Sequence, residues 1–272
     1  MKRGQYAPQP SGFHAESAIP LVLIAILAIF LAAKFNILPV DNIPILNQIM
    51  PSKDIKVGIF GRQSDDLKAM LASSDFQGAG GIAVRPIEGR TDDAARYAVR
   101  GVDVIILTGD QYCDRTFRKA VTDAVKGGKS LIVIGDACTK VRGDNTALGW
   151  SIGVGLMGDI MPVEIGGLTT RREPIKTYDV TGQFRIINFD HTIFQGIKDF
   201  PFAGSVTEVV PTSNADVIAQ LDTGPGQKNL YLVVEGKTFP SGKVLYFAFD
   251  PAQQGLKEMF KNTLLYVTAK RG

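Results

Sequence analysis

The chain has 272 residues, of which 45% are hydrophobic and 21% are charged, and its formal net charge is +3. This composition is typical of a folded globular protein, and the length allows one large domain or two small ones. The charge is too small to indicate a nucleic-acid-binding protein, and no basic stripe with interleaved aromatic residues is present. Nucleic acid is therefore excluded as an expected partner.

The N-terminal region is predicted to contain one transmembrane helix. The run from Ala18 to Ala33 has no charged or strongly polar side chain, and apolar residues continue beyond Lys34. About 20 apolar residues span a bilayer core as a helix. We therefore predict a disordered tail over residues 1–16, a transmembrane helix over residues 17–38 and a linker or neck over residues 39–54.

A cleaved signal peptide is the alternative interpretation of this region. Lys2 and Arg3 would form its positive segment, but that segment and the apolar run are both long, and no clean A-x-A site follows. We therefore expect a single-pass protein of the cell membrane, with residues 17–38 in the lipid bilayer. Positive residues lie on both sides of this helix, so the charge bias is small. We expect the N-terminus in the cytoplasm and the large domain outside.

From Ile55 onward, strand and helix signals alternate, which predicts a parallel sheet covered on both faces. The predicted strands are Ile55–Gly61, Ile82–Gly89, Val102–Gly109 and the run that begins at Lys129. The second strand contains Pro86, which favours an edge position. Ser64, Thr91 and Asp114 are expected to cap the helices that follow the first three strands. The expected fold class is α/β, with a doubly wound, mostly parallel sheet.

The second half of the chain has a less regular pattern. We predict a helix and loop over Ala147–Ile165, followed by extended segments whose alternation indicates an antiparallel or mixed extension of the sheet. A closing helix is predicted from Pro251 to about Ala269, because its apolar residues fall along one stripe.

The candidate binding residues lie near the ends of predicted strands. In a doubly wound sheet the functional crevice lies beyond the carboxyl ends of the strands. The candidate ligand-binding residues are Arg62, Glu88, Asp110, Asp136 and His191. The alternative roles are structural: Asp110 and Asp136 would bond backbone N–H groups, His191 would stabilise a turn, and Asp250 would form one. No spacing typical of metal ligands is present, so neither a metal nor a cofactor is expected.

The two cysteines, Cys113 and Cys138, follow the third and fourth predicted strands. Successive strands joined by one crossover helix are commonly neighbours, so both thiols would emerge at the same edge of the sheet. A disulfide between them is one interpretation, and it requires an oxidising compartment. Two unpaired buried thiols, or a nucleophilic role for Cys138, are the alternatives.

The order of these elements resembles the class I glutamine amidotransferase-like fold, which is flavodoxin-like in its strand arrangement. The resemblance covers nearly all of residues 55–272, which are expected to form one domain. It rests on VDVIILTG, a helix that ends in Gly-Gly, SLIVIGDACT, FDHTIFQGI, and GKVLYFAFDP with FKNTLLYV. The non-amidotransferase branches, which include trehalose-utilisation-type and related membrane-anchored domains, are more similar than the amidotransferases.

The resemblance implies an active-site pattern that this chain does not complete. Active amidotransferases carry G-x-C-x-G at the elbow after the fourth strand and a late His-x-Glu pair. Here Gly135 is three residues before Cys138, Lys140 stands in place of the second glycine, and Ile193 occupies the glutamate position after His191. A thiol without a base or a cationic neighbour stays largely protonated at neutral pH. Glutamine hydrolysis is therefore not expected.

Three function classes follow from these patterns. The first is a noncatalytic, membrane-anchored domain that binds a partner protein or a small polar ligand as part of an envelope or transport assembly. The second is a hydrolase or related enzyme that uses Cys138 and the crevice acids. The third is a structural cell-surface subunit. The missing base beside Cys138 favours the first and third classes over an enzyme.

Overall fold

The computed structural model describes residues 53–78, 82–150, 157–165, 176–224, 230–236, 242–254 and 256–269. The predicted tail, the predicted transmembrane helix and most of the predicted linker lie outside these residues. None of the helices in the described ranges has the length and apolar character needed to cross a bilayer. Residues Ser52–Gly272 form one compact unit.

Fourteen strands are present in the described ranges. In chain order they are β1 (Lys53–Gly61), β2 (Ile82–Gly89), β3 (Val104–Thr108), β4 (Tyr112–Cys113), β5 (Ser130–Ile134), β6 (Lys140–Val141), β7 (Asp144–Leu148), β8 (Val163–Ile165), β9 (Thr177–Ile186), β10 (Phe200–Thr207), β11 (Val209–Pro211), β12 (Ala215–Asp222), β13 (Leu230–Gly236) and β14 (Val244–Phe247). The α-helices are α1 (Asp65–Leu71), α2 (Arg115–Lys126) and α3 (Lys257–Thr268), and short 3₁₀ turns cover Ser74–Phe76, Asp93–Arg96, Ala98–Gly101, Met157–Asp159 and Thr192–Phe194.

Nine of these strands form one mixed sheet in the order β10-β9-β12-β13-β14-β5-β3-β1-β2. The five strands from β14 to β2 are parallel, and the four from β13 to β10 extend them with antiparallel pairs. The sheet therefore confirms the expected α/β class and the mixed extension. The strand that contains Pro86 lies at the edge, as predicted.

Helices cover the parallel strands on both faces. Right-handed crossovers place α2 and the turns before β3 on one face, and α1 and the 74–76 turn on the other. Phe60 of β1 packs against Phe117 of α2, with ring centroids 5.2 Å apart. Phe76 packs against Phe260 of α3 at 6.3 Å, so α3 shares the face of the 74–76 turn. Every side chain of β3 and β5 is buried, because both strands lie between these layers.

Two of the three predicted caps are wrong in detail. Ser64 does cap α1, since its Oγ accepts from the Leu67 N–H at 3.1 Å. Thr91 instead donates its hydroxyl to the Tyr112 carbonyl at 2.8 Å, and two 3₁₀ turns replace the predicted helix. Asp114 precedes α2, but its carboxylate accepts from the Asp93 N–H at 3.0 Å rather than from the helix.

The predicted helix over Ala147–Ile165 is also wrong in its described part. The segment contains the end of β7, the 157–159 turn and β8. Gly149 follows β7 with a φ of +84°, a conformation that ends the strand and cannot start a helix. The closing helix starts at Lys257 instead of Pro251, because Asp250 bonds the Ala252 N–H and holds the intervening residues in a turn.

Candidate functional site

A crevice with polar and apolar lining residues lies at the carboxyl ends of the parallel strands. Its volume is about 400 Å³, within the range of small-molecule sites. Loop residues 62–64, 108–109, 134–136 and 248–250 line it, and Thr177, Ser205 and Thr207 complete the wall from the antiparallel extension. The crevice therefore occupies the position expected for a functional site in this class of sheet.

Glycines let the strand ends approach each other closely around this crevice. Gly61 and Gly109 have φ angles of +105° and +69°. A Cβ on Gly61 would overlap the Thr108 carbonyl oxygen, and a Cβ on Gly109 would overlap the Arg62 carbonyl oxygen. Only glycine fits both positions, and their fit brings Arg62 beside the end of β3.

Ser64 and Asp250 join opposite walls of the crevice. The Ser64 hydroxyl donates to Asp250 Oδ2 at 2.7 Å, while its oxygen caps α1. The other carboxylate oxygen of Asp250 accepts from the Ala252 N–H at 2.9 Å. Both groups therefore have partners within the protein, and the pair fixes the distance between the β1 and β14 loops.

Asp136 presents a carboxylate that is only partly paired. Its Oδ2 accepts a hydrogen bond from the Gln111 amide, whose oxygen accepts from the Lys140 ammonium at 2.7 Å. Its second carboxylate oxygen has no donor among the described residues. Asp136 is therefore oriented by its neighbours and can still accept a hydrogen bond from an occupant.

Buried contacts hold the loop that carries Asp136. The Trp150 indole N–H donates to the Ala137 carbonyl at 2.9 Å. Arg118 donates through Nη2 to the carbonyls of Gly149 and Trp150, at 3.1 and 2.8 Å. Burial lowers the pKa of Arg118 to about 10, so the guanidinium remains charged at neutral pH. Arg118 therefore stabilises the backbone next to the loop through these hydrogen bonds, and it does not line the crevice.

The Tyr246 hydroxyl lies close to Asp136 and Thr207, two residues that line the crevice. It is fully buried and has no hydrogen-bond partner among the described groups. Burial raises its pKa well above the usual tyrosine value, and the Asp136 charge adds to this rise. The nearby Thr207 hydroxyl opposes the rise, although its contact lacks the geometry of a full hydrogen bond. A neutral phenol is therefore buried close to the crevice, although it is not one of the lining groups.

A second cavity of about 450 Å³ adjoins the first. The two share Arg62, Gln63 and Ser64, and the second adds Lys68, Asp65 and Glu88. Among the described residues, neither Arg62 nor Lys68 forms an ion pair. Arg62 therefore lies at the junction of the two cavities, of which the second has the more polar lining.

Three of the five predicted binding residues line these cavities. Arg62 lines both, Asp136 lines the first and Glu88 lines the second. Asp110 lies beside them, but its backbone N–H donates to the Thr108 carbonyl, and its own carbonyl accepts from the Cys138 N–H, each at 2.8 Å. It lines neither cavity, so the structure places it in the loop that supports the crevice.

His191 lies away from the crevice, near the amino-terminal end of β14. Its Nε2 is 3.1 Å from Glu235 Oε2, and its Nδ1 accepts from the Ile193 N–H at 3.4 Å. The ring also packs edge-on against Tyr266 of α3, with centroids 4.6 Å apart. The predicted alternative, a histidine that stabilises a turn, describes this geometry.

A disulfide joins Cys113 and Cys138, which confirms the predicted bridge. Their Cα atoms are 5.1 Å apart, because β3 and β5 are neighbours and both loops leave the same edge. Cys138 has a φ of +58° and is the one non-glycine residue with positive φ in the described ranges. Both cysteines are fully buried. In this form Cys138 has no thiolate with which to attack a substrate.

Several lining residues escaped the sequence analysis. Thr177, Ser205 and Thr207 carry no local signal, because the register of β9 and β10 brings them to the crevice. Asp250 was interpreted as a turn former, which it is, but it also bonds Ser64. Lys68 follows Ser64 by one helical turn, and this spacing could have identified it as a neighbour. The described ranges contain no cluster of three or more histidine, cysteine or acidic residues suited to a metal.

No protein-family model matches the chain, and neither does any curated protein. Solved structures do match. Two cytoplasmic proteins from Salmonella typhimurium align with TM-scores of 0.55 and 0.56 at 14% and 15% sequence identity. Both alignments cover 80% of this chain and 100% of the other. A ThuA-like protein from Bacteroides uniformis aligns with a TM-score of 0.52 at 11% identity, over 79% of this chain and 92% of that protein.

At these identities the likeness concerns the fold alone. The ThuA-like structure supports the resemblance drawn from the strand ends and the closing segment of the sequence. The described part of the chain therefore shares a mixed α/β fold with these structures, which is consistent with the resemblance to the glutamine amidotransferase-like fold.

Proposed function

We propose that this protein is a membrane-anchored, noncatalytic domain of the amidotransferase-like fold whose crevice binds a small polar ligand. It acts with a partner protein in an envelope or transport assembly. The observation that carries the proposal is the contrast between an open crevice, lined by polar and apolar groups, and a cysteine that forms a disulfide.

The chemistry of the site supports binding without catalysis. A nucleophilic cysteine needs a thiolate and a base within hydrogen-bond reach. Cys138 is bridged to Cys113, and His191 is paired with Glu235 outside the crevice. The polar lining groups are hydroxyls, amides, carboxylates and one guanidinium, which suit recognition of the polar part of a ligand. Ile134, Ala248 and Phe249 add an apolar wall.

The disulfide also supports the proposed location. Disulfides persist in oxidising compartments and are rare in the cytoplasm. A domain outside the membrane, anchored by residues 17–38, would form the bridge and keep it. The apolar run Ala18–Ala33 supplies the anchor in this proposal.

The first experiment tests the anchor. We expect the full-length chain to remain in the membrane fraction after a carbonate wash. Replacement of Leu23 and Leu27 by aspartate should release it, because charged residues are costly at the centre of a membrane helix. Recovery of the uncleaved wild-type chain in the soluble fraction would contradict the anchor.

The second experiment tests binding. Thermal-shift screening of the full-length chain against polar metabolites should identify at least one that raises the melting temperature. Asp136→Asn should abolish this shift, while the matched surface variant Asp123→Asn should keep it. Asp123 lies on α2 and is exposed, where it pairs with Lys119. Ammonia release from glutamine that is lost in Cys138→Ala would contradict a noncatalytic domain.

A further inference from the structure

We infer that the ligand of this crevice is a hydroxylated organic anion, whose anionic group binds between Arg62 and Lys68 and whose hydroxyl groups face Asp136 and Thr207. This inference rests on the proposed binding function and names the chemical class of the ligand. Carboxylates and phosphates of hydroxylated compounds both belong to this class.

Arg62 and Lys68 form the anion-binding half of the proposed ligand site. Arg62 lines both cavities, and Lys68 lines the second. Neither side chain has a hydrogen-bond or ion-pair partner in the described part of the chain, so their donors are free. A guanidinium binds carboxylate or phosphate oxygens in a bidentate manner, and an adjacent ammonium adds a second charge.

Two acids in the second cavity do not cancel these cations. Asp65 and Glu88 also line it, but neither lies within ion-pair distance of Arg62 or Lys68. Asp65 occupies the first turn of α1, where backbone N–H groups stabilise its negative charge. The anion-binding position is therefore on the Arg62 side, where the second cavity meets the first.

Asp136 determines which kind of functional group the ligand presents in the first cavity. Its unpaired carboxylate oxygen can only accept a hydrogen bond, so the group beside it must donate. A second anionic group there would be repelled. A hydroxyl donates to the carboxylate and can also accept from Thr207, which lines the same cavity.

The buried Tyr246 hydroxyl supports this assignment independently. Buried polar groups in folded proteins nearly always have a partner, and a group without one needs an explanation. Tyr246 lies close to Asp136 and Thr207 and has no partner in the described chain. Because Tyr246 lines neither cavity, a buried water beside Thr207 would complete this hydrogen bond and could in turn contact a ligand hydroxyl.

Other ligand classes fit less well. A neutral polyol would leave Arg62 and Lys68 without an anion, and an ammonium compound would be repelled by both. A simple inorganic anion would leave Asp136 and the hydroxyl wall unused. Cavities of about 400 and 450 Å³ together have room for an anionic group and a hydroxylated body.

Calorimetric titration of the full-length chain tests the inference with matched probes. D-gluconate and glycerol 3-phosphate carry both groups, acetate and phosphate carry the anion alone, and glycerol carries hydroxyls alone. We expect at least one of the first pair to bind about tenfold tighter than any of the other three. Equal affinity for the hydroxylated anions and their anion-only counterparts would overturn the inference.

Variants assign the two halves of the site. Arg62→Gln should weaken binding of the hydroxylated anion about tenfold, while Arg90→Gln should not change it. Arg90 is a suitable control because it is exposed, lines neither cavity and pairs with Asp92. Tyr246→Phe should leave the unliganded melting temperature unchanged or raised, yet weaken binding. Unchanged binding in both Arg62→Gln and Tyr246→Phe would overturn the inference.

The outcomes also separate this inference from the proposed function. If metabolite screening finds a neutral or cationic ligand whose binding is lost in Asp136→Asn, the crevice is a binding site but the ligand class is wrong. If no probe and no metabolite binds, both fail.

Discussion

Ionisable side chains cluster both at the crevice end of the parallel strands and at the opposite end of these strands. The two clusters differ in how many of their polar groups have hydrogen-bond or ion-pair partners. At the opposite end, Glu235 accepts hydrogen bonds from His191 and Tyr266, and the Lys243 ammonium bonds the Tyr266 carbonyl. In the crevice, Arg62 has no partner in the described chain and Asp136 has one unpaired oxygen. A complete network favours a structural role, and an incomplete one in a cavity favours binding.

The difference is visible in the electrostatics of Glu235. Burial raises its pKa, but hydrogen bonds from His191 and Tyr266, with the charges of His191 and Lys243, outweigh burial and leave the pKa lowered. The ionised carboxylate is therefore the form that the fold stabilises. A histidine and a glutamate in contact would suggest catalysis from their identities alone, yet their position and full pairing indicate a structural contact.

The largest expected effect comes from removing the disulfide beside the crevice. The bridge closes a loop with a sequence separation of 25 residues, and loss of such a loop constraint costs about 3–4 kcal/mol. We expect Cys113→Ala with Cys138→Ala to lower the free energy of unfolding by this amount in urea titrations. Reductant should destabilise the wild type and leave the double variant unchanged. A wild type insensitive to reductant under unfolding conditions would contradict the role of the bridge.

The second-largest effect is expected from a substitution of Gly109, which lies at the end of β3 beside the crevice. Gly109→Ala should destabilise the domain by about 2–3 kcal/mol, because the new Cβ meets the Arg62 carbonyl at a positive φ. Gly101→Ala is the matched control, since nothing lies within 4 Å of a Cβ there and its φ is not positive. Similar melting temperatures for the two variants would show that the close approach of β1 and β3 is not required.

Glu235→Gln tests the cluster at the opposite end of the strands. We expect it to lower the free energy of unfolding by about 2 kcal/mol at neutral pH. His191 and Tyr266 bond different carboxylate oxygens of Glu235, and in glutamine one of these positions is an NH2 group, which cannot accept a hydrogen bond. Because the folded pKa of Glu235 is lowered, its contribution is complete above the unfolded carboxyl pKa and disappears as pH falls through the folded value.

The difference in free energy of unfolding between wild type and Glu235→Gln should therefore become smaller as the pH is lowered. Chemical unfolding at several pH values would measure it. Glu258→Gln is the control on α3, where the side chain is mostly exposed and near-zero change is expected. A difference that grows in acid would contradict the sign of the lowered pKa.

The smallest effect concerns the contact between Ser64 and Asp250. Ser64→Ala removes an N-cap and a hydrogen bond, and we expect a loss of about 1 kcal/mol. Ser74→Ala is a suitable comparison, because the Ser74 side chain is exposed and has no hydrogen bond in the described part of the chain. Equal stability of the two variants would indicate that Ser64 does not join the crevice walls.

Much of the parallel half could be predicted from sequence, because buried strands and amphipathic helices leave local patterns. The edge position of β2 follows from Pro86, and the neighbouring ends of β3 and β5 follow from their single crossover helix. These rules also predicted the disulfide and placed Arg62, Glu88 and Asp136 at the crevice edge. The caps failed at Thr91 and Asp114 because distant residues, Tyr112 and Asp93, are their partners.

The antiparallel half was less predictable for the same reason. Thr177 and Thr207 reach the crevice through pairing between strands, which a local pattern does not encode. His191 and Glu235 are 44 residues apart, so their contact had no sequence signal. Sequence analysis located the crevice, but only the three-dimensional register showed which hydroxyl groups complete it.

Mass spectrometry of protein from native membranes, denatured and alkylated before reduction, gives the strongest test of the bridge and its location. We expect Cys113 and Cys138 to be recovered as one disulfide-linked peptide pair that resists alkylation in denaturant until reductant is added. This result would agree with a noncatalytic domain in an oxidising compartment. Full alkylation of both cysteines before reduction would contradict the bridge and the proposed location together, and would restore Cys138 as a candidate nucleophile.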